Sequence, residues 1–147
     1  MTEINKVYLA GPFFNDTQLN VVEKVKKILE SLNIKYYSPK DEMRYFKGDP
    51  PEKAKKCFDL NIVAMNDCDF MLAIIDDFDP GTMFEMGYMC CQNKRILAYS
   101  DIPGRGLNLM LSQSCVGFAN GLRELADILV KINSNNYTKK EFSGEQI

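Results

Sequence analysis

Apolar residues fall into short unbroken runs, separated by longer stretches in which they recur every three or four positions. The runs are Lys6–Ala10 (KVYLA), Ile34–Tyr37, Phe70–Ile75 (FMLAII), Arg95–Tyr99 (RILAY) and Cys115–Phe118. Continuous rather than alternating apolarity suits strands covered on both faces. Between them, Val21, Val22, Val25, Ile28, Leu29 and Leu32 share one helical face, with Asn15, Asp16 and Thr17 as N-cap candidates. A second helix is predicted from Lys53 to Met65, burying Phe58, Ile62 and Met65, and a third from Thr82 to Gln92. A short helix near Asn108–Gln113 follows, and Leu122, Leu125, Ile128, Leu129 and Ile132 mark the last. The tail from Asn133 is polar, lacks periodicity and reads as frayed.

Strands alternating with amphipathic helices imply a parallel sheet of about five strands with helices on both faces. Neither an internal repeat nor a linker is visible, so residues 1–147 read as one α/β domain. Ligands of such sheets bind beyond the carboxyl ends of the strands. Here those ends are Gly11–Phe14, Ser38–Glu42, Asp76–Gly81 and Ser100–Gly106. The polar segment 39–52, with Pro39, Gly48, Pro50 and Pro51, is long enough to carry function.

Composition narrows the chemistry. Eighteen Lys and Arg against 20 Asp and Glu leave a formal charge of -2, with no basic field for nucleic acid and no polybasic membrane patch. No apolar run is long enough to span a bilayer, and no secretory leader is expected. The five cysteines form no CxxC and read mostly as buried small hydrophobes of a reduced, cytoplasmic protein. Histidine is absent altogether, which removes Ser-His-Asp and Cys-His schemes and histidine metal sites. Acid–base or nucleophilic work then falls to carboxylates, Tyr, Lys or Cys.

Asp76, Asp77, Asp79 and Glu85 crowd one strand end in the segment DDFDPGTMFEMG. Gly81 permits a sharp turn or close ligand approach, and Thr82 is a candidate helix cap. Glu85 is then expected in the first turn, where the helix dipole favours an ionised carboxylate able to attack an electrophilic carbon. The plain alternative is that Asp79 and Glu85 are ordinary first-turn acids. Gly87 weighs against it, because a helix-interior glycine costs roughly 1 kcal/mol relative to Ala. Met83, Met86 and Met89 recur every three residues and read as core or interface.

Four segments together carry a resemblance. They are Tyr8-Leu9-Ala10-Gly11-Pro12-Phe13-Phe14, Asp59-Leu60-Asn61 ahead of Asn66-Asp67, Asp79-Pro80-Gly81-Thr82-Met83-Phe84-Glu85-Met86-Gly87, and Asn108-Leu109-Met110. In order and spacing, from Tyr8 to about Phe118, the chain resembles the nucleoside 2-deoxyribosyltransferase family. The resemblance implies a flavodoxin-like, Rossmann-like fold and exchange of the base on a 2′-deoxynucleoside, without cofactor or metal. It makes Glu85 the nucleophile of a retaining double displacement. It places Asp79 as the acid at the base end, Asp59 as a second acid at the base end or the sugar hydroxyls, and Tyr8 as the residue orienting Glu85. Gly11, Phe13, Phe14, Gly81 and Met110 become substrate contacts, and Asp41, Glu42 and Arg44 candidates for touching the base.

The resemblance also implies a homo-oligomer, a dimer or trimer of dimers, in which Asn108 and the C-terminal Ile147 reach a neighbour's site. Taken alone, Tyr8 is equally a core tyrosine, Phe13 and Phe14 rim packing, and Asn108 an N-cap. Two other readings stand beside base exchange. One is a nucleoside 5′-monophosphate N-glycosidase, which needs a Ser- and Gly-rich phosphate cradle where this chain has Gly11-Pro12-Phe13-Phe14. The other is a non-catalytic nucleotide-sensing module, which has no need of Glu85. The cytokinin-activating phosphoribohydrolases also carry a GT..E segment, but after a Pro-Gly-Gly-rich run missing here.

Overall fold

The structure, a computed structural model, describes residues 3–147; Met1 and Thr2 lie outside them. Five strands form one sheet: β1 (Val7–Ala10), β2 (Tyr36–Tyr37), β3 (Phe70–Ile74), β4 (Arg95–Ser100) and β5 (Gly117–Asn120). Their order is β2-β1-β3-β4-β5, and every pairing is parallel. The helices are α1 (Asp16–Ser31), α2 (Pro51–Asp67), α3 (Pro80–Cys91), α4 (Leu109–Ser114) and α5 (Leu122–Asn133). This is the expected α/β arrangement.

Successive strand residues point to opposite faces, and the two faces form separate cores. Val7, Leu9, Phe70, Leu72, Leu97 and Tyr99 pack with the apolar stripes of α1 and α5. Tyr8, Ala10, Met71, Ala73, Ile96 and Ala98 pack with Met65 of α2 and with Met86 and Met89 of α3. Ala10, Ala73 and Ala98 stand in register across the three central strands. On this face the sheet therefore presents a row of small side chains near its carboxyl end, which leaves room above it. The chain leaves β1 for β2 on one side and returns through β3 on the other. That switch point is where a parallel sheet opens a crevice.

Several local expectations shift. Strand β5 pairs two residues later than its apolar run, because Asn120 extends it. The Asn120 amide donates to the Ser100 and Ile102 carbonyls at 3.0 and 2.9 Å. Segment 39–52 opens with a 3-10 turn at Pro39–Asp41, and α2 starts at Pro51. Only Cys68 and Cys115 are buried; Cys57 is half-buried, and Cys90 and Cys91 are exposed at the end of α3. The tail is not frayed. Tyr137 is buried, Phe142 meets Phe118 edge-on with centroids 5.3 Å apart, and Leu107 exchanges backbone bonds with Glu145 and Ile147, both 2.9 Å. Aromatic anchors spaced too irregularly to show as periodicity hold it down.

Candidate active site

The crevice is built from the ends of β1 and β3 and the helices facing them. Gly11 follows β1, and a Cβ there would stand 2.9 Å from Ile74 Cβ, so only glycine lets the two loops run this close. After β3, Phe78 adopts a left-handed backbone (φ 46°), with the Arg105 guanidinium 4.9 Å over its ring. Asp79 then caps α3: its Oδ2 accepts from Thr82 N at 2.9 Å and Thr82 Oγ1 at 3.1 Å. Thr82 is the residue being capped rather than the cap, because α3 begins two residues earlier, at Pro80. Pro80 suits this position, since it has no N–H to leave unpaired.

The earlier start moves Glu85 out of the first turn. It joins Thr82, Met86 and Met89 on the inward stripe of α3 and is half-buried among apolar neighbours. One side-chain hydrogen bond reaches it, from the Tyr8 hydroxyl to Glu85 Oε2. The expectation of a dipole-held anion is corrected accordingly. Burial pushes the carboxyl from 4.5 up to about 7; the Tyr8 bond opposes this, and the charge of Asp79 adds to it. Burial, together with the Glu85 charge, keeps the Tyr8 hydroxyl protonated far above its ordinary range. Tyr8 in turn stacks on Tyr37, centroids 5.7 Å apart and planes 16° from parallel.

Glu85 and Asp79 open into a cleft of about 330 Å³. Gly11, Phe13 and Phe14 line it from the β1 loop, Gly81 and Phe84 from α3, and Pro39 from the loop after β2. The remaining wall is α2, which contributes Phe58, Asn61, Ile62 and Met65. Phe58 was expected to be buried. It is 52% exposed, against Phe84 at 55%, their rings 6.1 Å apart. Arg44 lies outside the lining but clamps it, its guanidinium 5.3 Å over the Phe13 ring and 5.1 Å over Phe46.

Other expected site residues lie elsewhere. Asp59 does not line the cleft and pairs with Lys55 at 2.7 Å, half of its side chain in solvent. Asp41 pairs with Lys26 at 2.9 Å and Glu42 is exposed; neither lines the cleft. Asn108 caps α4 by accepting from Met110 N at 2.9 Å, and its amide donates to the Ile147 carbonyl at 3.3 Å. Met110 is exposed, and neither it nor Asn108 lines this chain's own cleft. Asn61, Phe58 and Phe84 were not singled out as site residues from sequence, although Asn61 was legible as the one polar residue in an apolar stripe.

A larger hollow of about 570 Å³ lies between β5, α5 and the tail. Its lining mixes acids with lysines and includes none of Tyr8, Asp79 or Glu85, so the chemistry belongs to the smaller cleft. Among the described residues, no group of three or more Cys, Asp or Glu is placed to hold a metal. No described helix is long and apolar enough to cross a membrane.

Residues 7–125 match the family model for nucleoside 2-deoxyribosyltransferase. The chain therefore belongs to that family. A solved 2-deoxyribosyltransferase from Bacillus psychrosaccharolyticus superposes with a TM-score of 0.82 at 26% identity, over 93% of this chain and 99% of that one. A CMP N-glycosidase from Clostridium botulinum shares the fold at TM-score 0.59 and 18% identity, over 86% and 99% of the two chains. An uncharacterised protein of Schizosaccharomyces pombe is 28% identical over 103 residues, 64% of this chain. The chain spans about half of that protein's length, 49%.

Proposed function

We propose that the protein exchanges the base on 2′-deoxynucleosides by double displacement through Glu85. The observation that carries this reading is a carboxylate held by Tyr8 on the floor of an apolar-walled cleft, with the second carboxylate, Asp79, beside it. In the first step a Glu85 oxygen bonds to the anomeric carbon of the sugar. The C–N bond breaks on the opposite face, and the base leaves with the bonding pair and takes up a proton, handled by Asp79. In the second step a nitrogen of the incoming base attacks the same carbon, passes its proton to Asp79 and releases Glu85 as the carboxylate. Two inversions give net retention. Water in place of the second base would give hydrolysis.

Tyr8 orients the nucleophile and stabilises its ionised form. Asp59 reaches the base end only by releasing Lys55. Asn108 and Ile147, tied to each other, act on a neighbouring copy's cleft, so the active unit is a homo-oligomer. Five free cysteines suit a reducing cytoplasm and a role in nucleoside salvage.

The substrate is the uncharged nucleoside. Among the described residues no Lys or Arg lines the cleft, so a 5′-phosphate there would face two carboxylates, and Pro12 offers no N–H to it. The test is to mix deoxyinosine with adenine and follow deoxyadenosine by chromatography. Product is expected, together with a deoxyribose adduct on Glu85 by mass spectrometry when no acceptor is added. No transfer with any base pair, alongside rapid hydrolysis of deoxynucleoside monophosphates, would overturn this reading in favour of the glycosidase.

A further inference from the structure

On the cleft side of α2, residues 58, 61, 62 and 65 follow the i, i+3, i+4, i+7 spacing of a single helix face. Three of them, Phe58, Ile62 and Met65, are apolar; the fourth is Asn61. A carboxamide in an apolar stripe ordinarily finds a protein partner, because burying it unpaired costs about 1–3 kcal/mol. The Asn61 amide has no hydrogen-bond partner among the described residues, and it opens into the cleft. The stripe of α3 has the same form, with Glu85 as the acid among methionines. Each helix facing the cleft thus carries one polar side chain that the apolar packing does not explain. In α3 that residue is the proposed nucleophile.

We infer that Asn61 reads the edge of the nucleobase and accepts amino and oxo bases alike by turning its amide. The inference rests on the base-exchange reading above. Phe58 lies one turn before Asn61 on the same stripe, with Phe84 beside it at 52° to its plane, so a flat ring stacked on Phe58 shares the cleft with the amide. A carboxamide has a donor and an acceptor side by side. In one orientation it matches the amino group and ring nitrogen of adenine or cytosine. Turned by half a revolution, it matches the carbonyl and ring N–H of hypoxanthine or thymine. An enzyme that must accept a second base after releasing the first gains from a reader that serves both patterns. Asp59, two positions before Asn61 and about 200° round the helix, lies on a different face of α2.

The experiment is an acceptor competition. Protein and deoxyguanosine are mixed with equimolar adenine, hypoxanthine and unsubstituted purine, and the ratios of deoxyadenosine and deoxyinosine to purine deoxyriboside are read by chromatography. All three acceptors meet the same glycosyl-enzyme, so any change in Glu85 cancels in the ratios. Adenine and hypoxanthine each offer the amide a donor and an acceptor, whereas unsubstituted purine offers a ring nitrogen alone. Asn61→Leu completes the apolar stripe and should fold at least as stably, and both ratios should fall about tenfold, the worth of one hydrogen bond. Asn61→Asp keeps an acceptor for the amino group of adenine and for the ring N–H of hypoxanthine, so both ratios should stay near wild type. Ratios unmoved in Asn61→Leu overturn the inference, whether activity is full or all products fall equally; an equal fall would place Asn61 on the sugar. A wild-type protein that transfers to no purine or pyrimidine base instead removes the base-exchange reading, and the inference with it.

Discussion

Asp76 and Glu85 are carboxylates nine positions apart, on either side of the same loop, and they are held in opposite ways. Asp76 is the more buried, at 8% exposure. It accepts from the Ser100 hydroxyl and from Asp101 N at 3.0 and 3.1 Å, lashing the end of β3 to the end of β4. Among the described residues Glu85 has the Tyr8 hydroxyl as its one side-chain donor, and an open cleft in front of it. Burial by itself does not mark a reactive acid. What marks Glu85 is burial without enough donors, which holds its proton to about pH 7.

The hardest blow to this contrast comes from exchanging roles. Glu85→Gln keeps the shape and removes the nucleophile, so transfer should fall about 10⁴-fold or more while the protein stays folded. Its stability effect has a sign. The folded carboxyl titrates at about 7 against 4.5 for the ordinary group. The folded state therefore binds the proton more tightly, and wild-type stability falls as pH rises from 4.5 through 7, by up to about 3 kcal/mol. Glu85→Gln should escape that loss, so its melting temperature should exceed wild type by more at pH 8 than at pH 5. Equal gaps at both pH values would sink the raised-pKa account.

Asp76→Ala should do the reverse. It leaves the Ser100 hydroxyl and Asp101 N without their acceptor and should destabilise the fold by about 2–4 kcal/mol. Denaturant unfolding reads this; a loss of activity with unchanged stability would put Asp76 in the chemistry instead.

Tyr8→Phe is smaller. It removes the donor that favours ionised Glu85 while keeping the ring on Tyr37. The rate should drop about 10- to 100-fold, as for a charge-assisted bond. For wild type, kcat/KM should rise with pH and level off above about 7, and in Tyr8→Phe the rise should move to higher pH. No histidine exists to produce such a limb, so it would report Glu85 directly. The smallest change is Asp59→Asn. It breaks an exposed pair with Lys55, worth about 0.5 kcal/mol or less, and should slow transfer less than Tyr8→Phe does. A larger loss would show that Asp59 does leave Lys55 to meet the base.

The order of strands and helices was legible from apolar spacing, because strand burial on both faces and helix burial on one leave different periods. So was the crevice, since parallel sheets open beyond their carboxyl ends and the loop acids are written there. The Asp79–Gly87 segment and Tyr8 were legible through resemblance, and Tyr8 does meet Glu85. Hidden from the sequence were the phases. One earlier residue pair at the start of α3 turned Thr82 from cap to capped and carried Glu85 from a dipole-stabilised turn into an apolar stripe. Two steps along α2, about 200° round the helix, put Asn61 rather than Asp59 against the cleft. Local spacing determines which residues can share a face. Which face is buried, and what meets it there, rests on contacts such as Tyr8 with Glu85, 77 positions apart, which exist only once the sheet has closed.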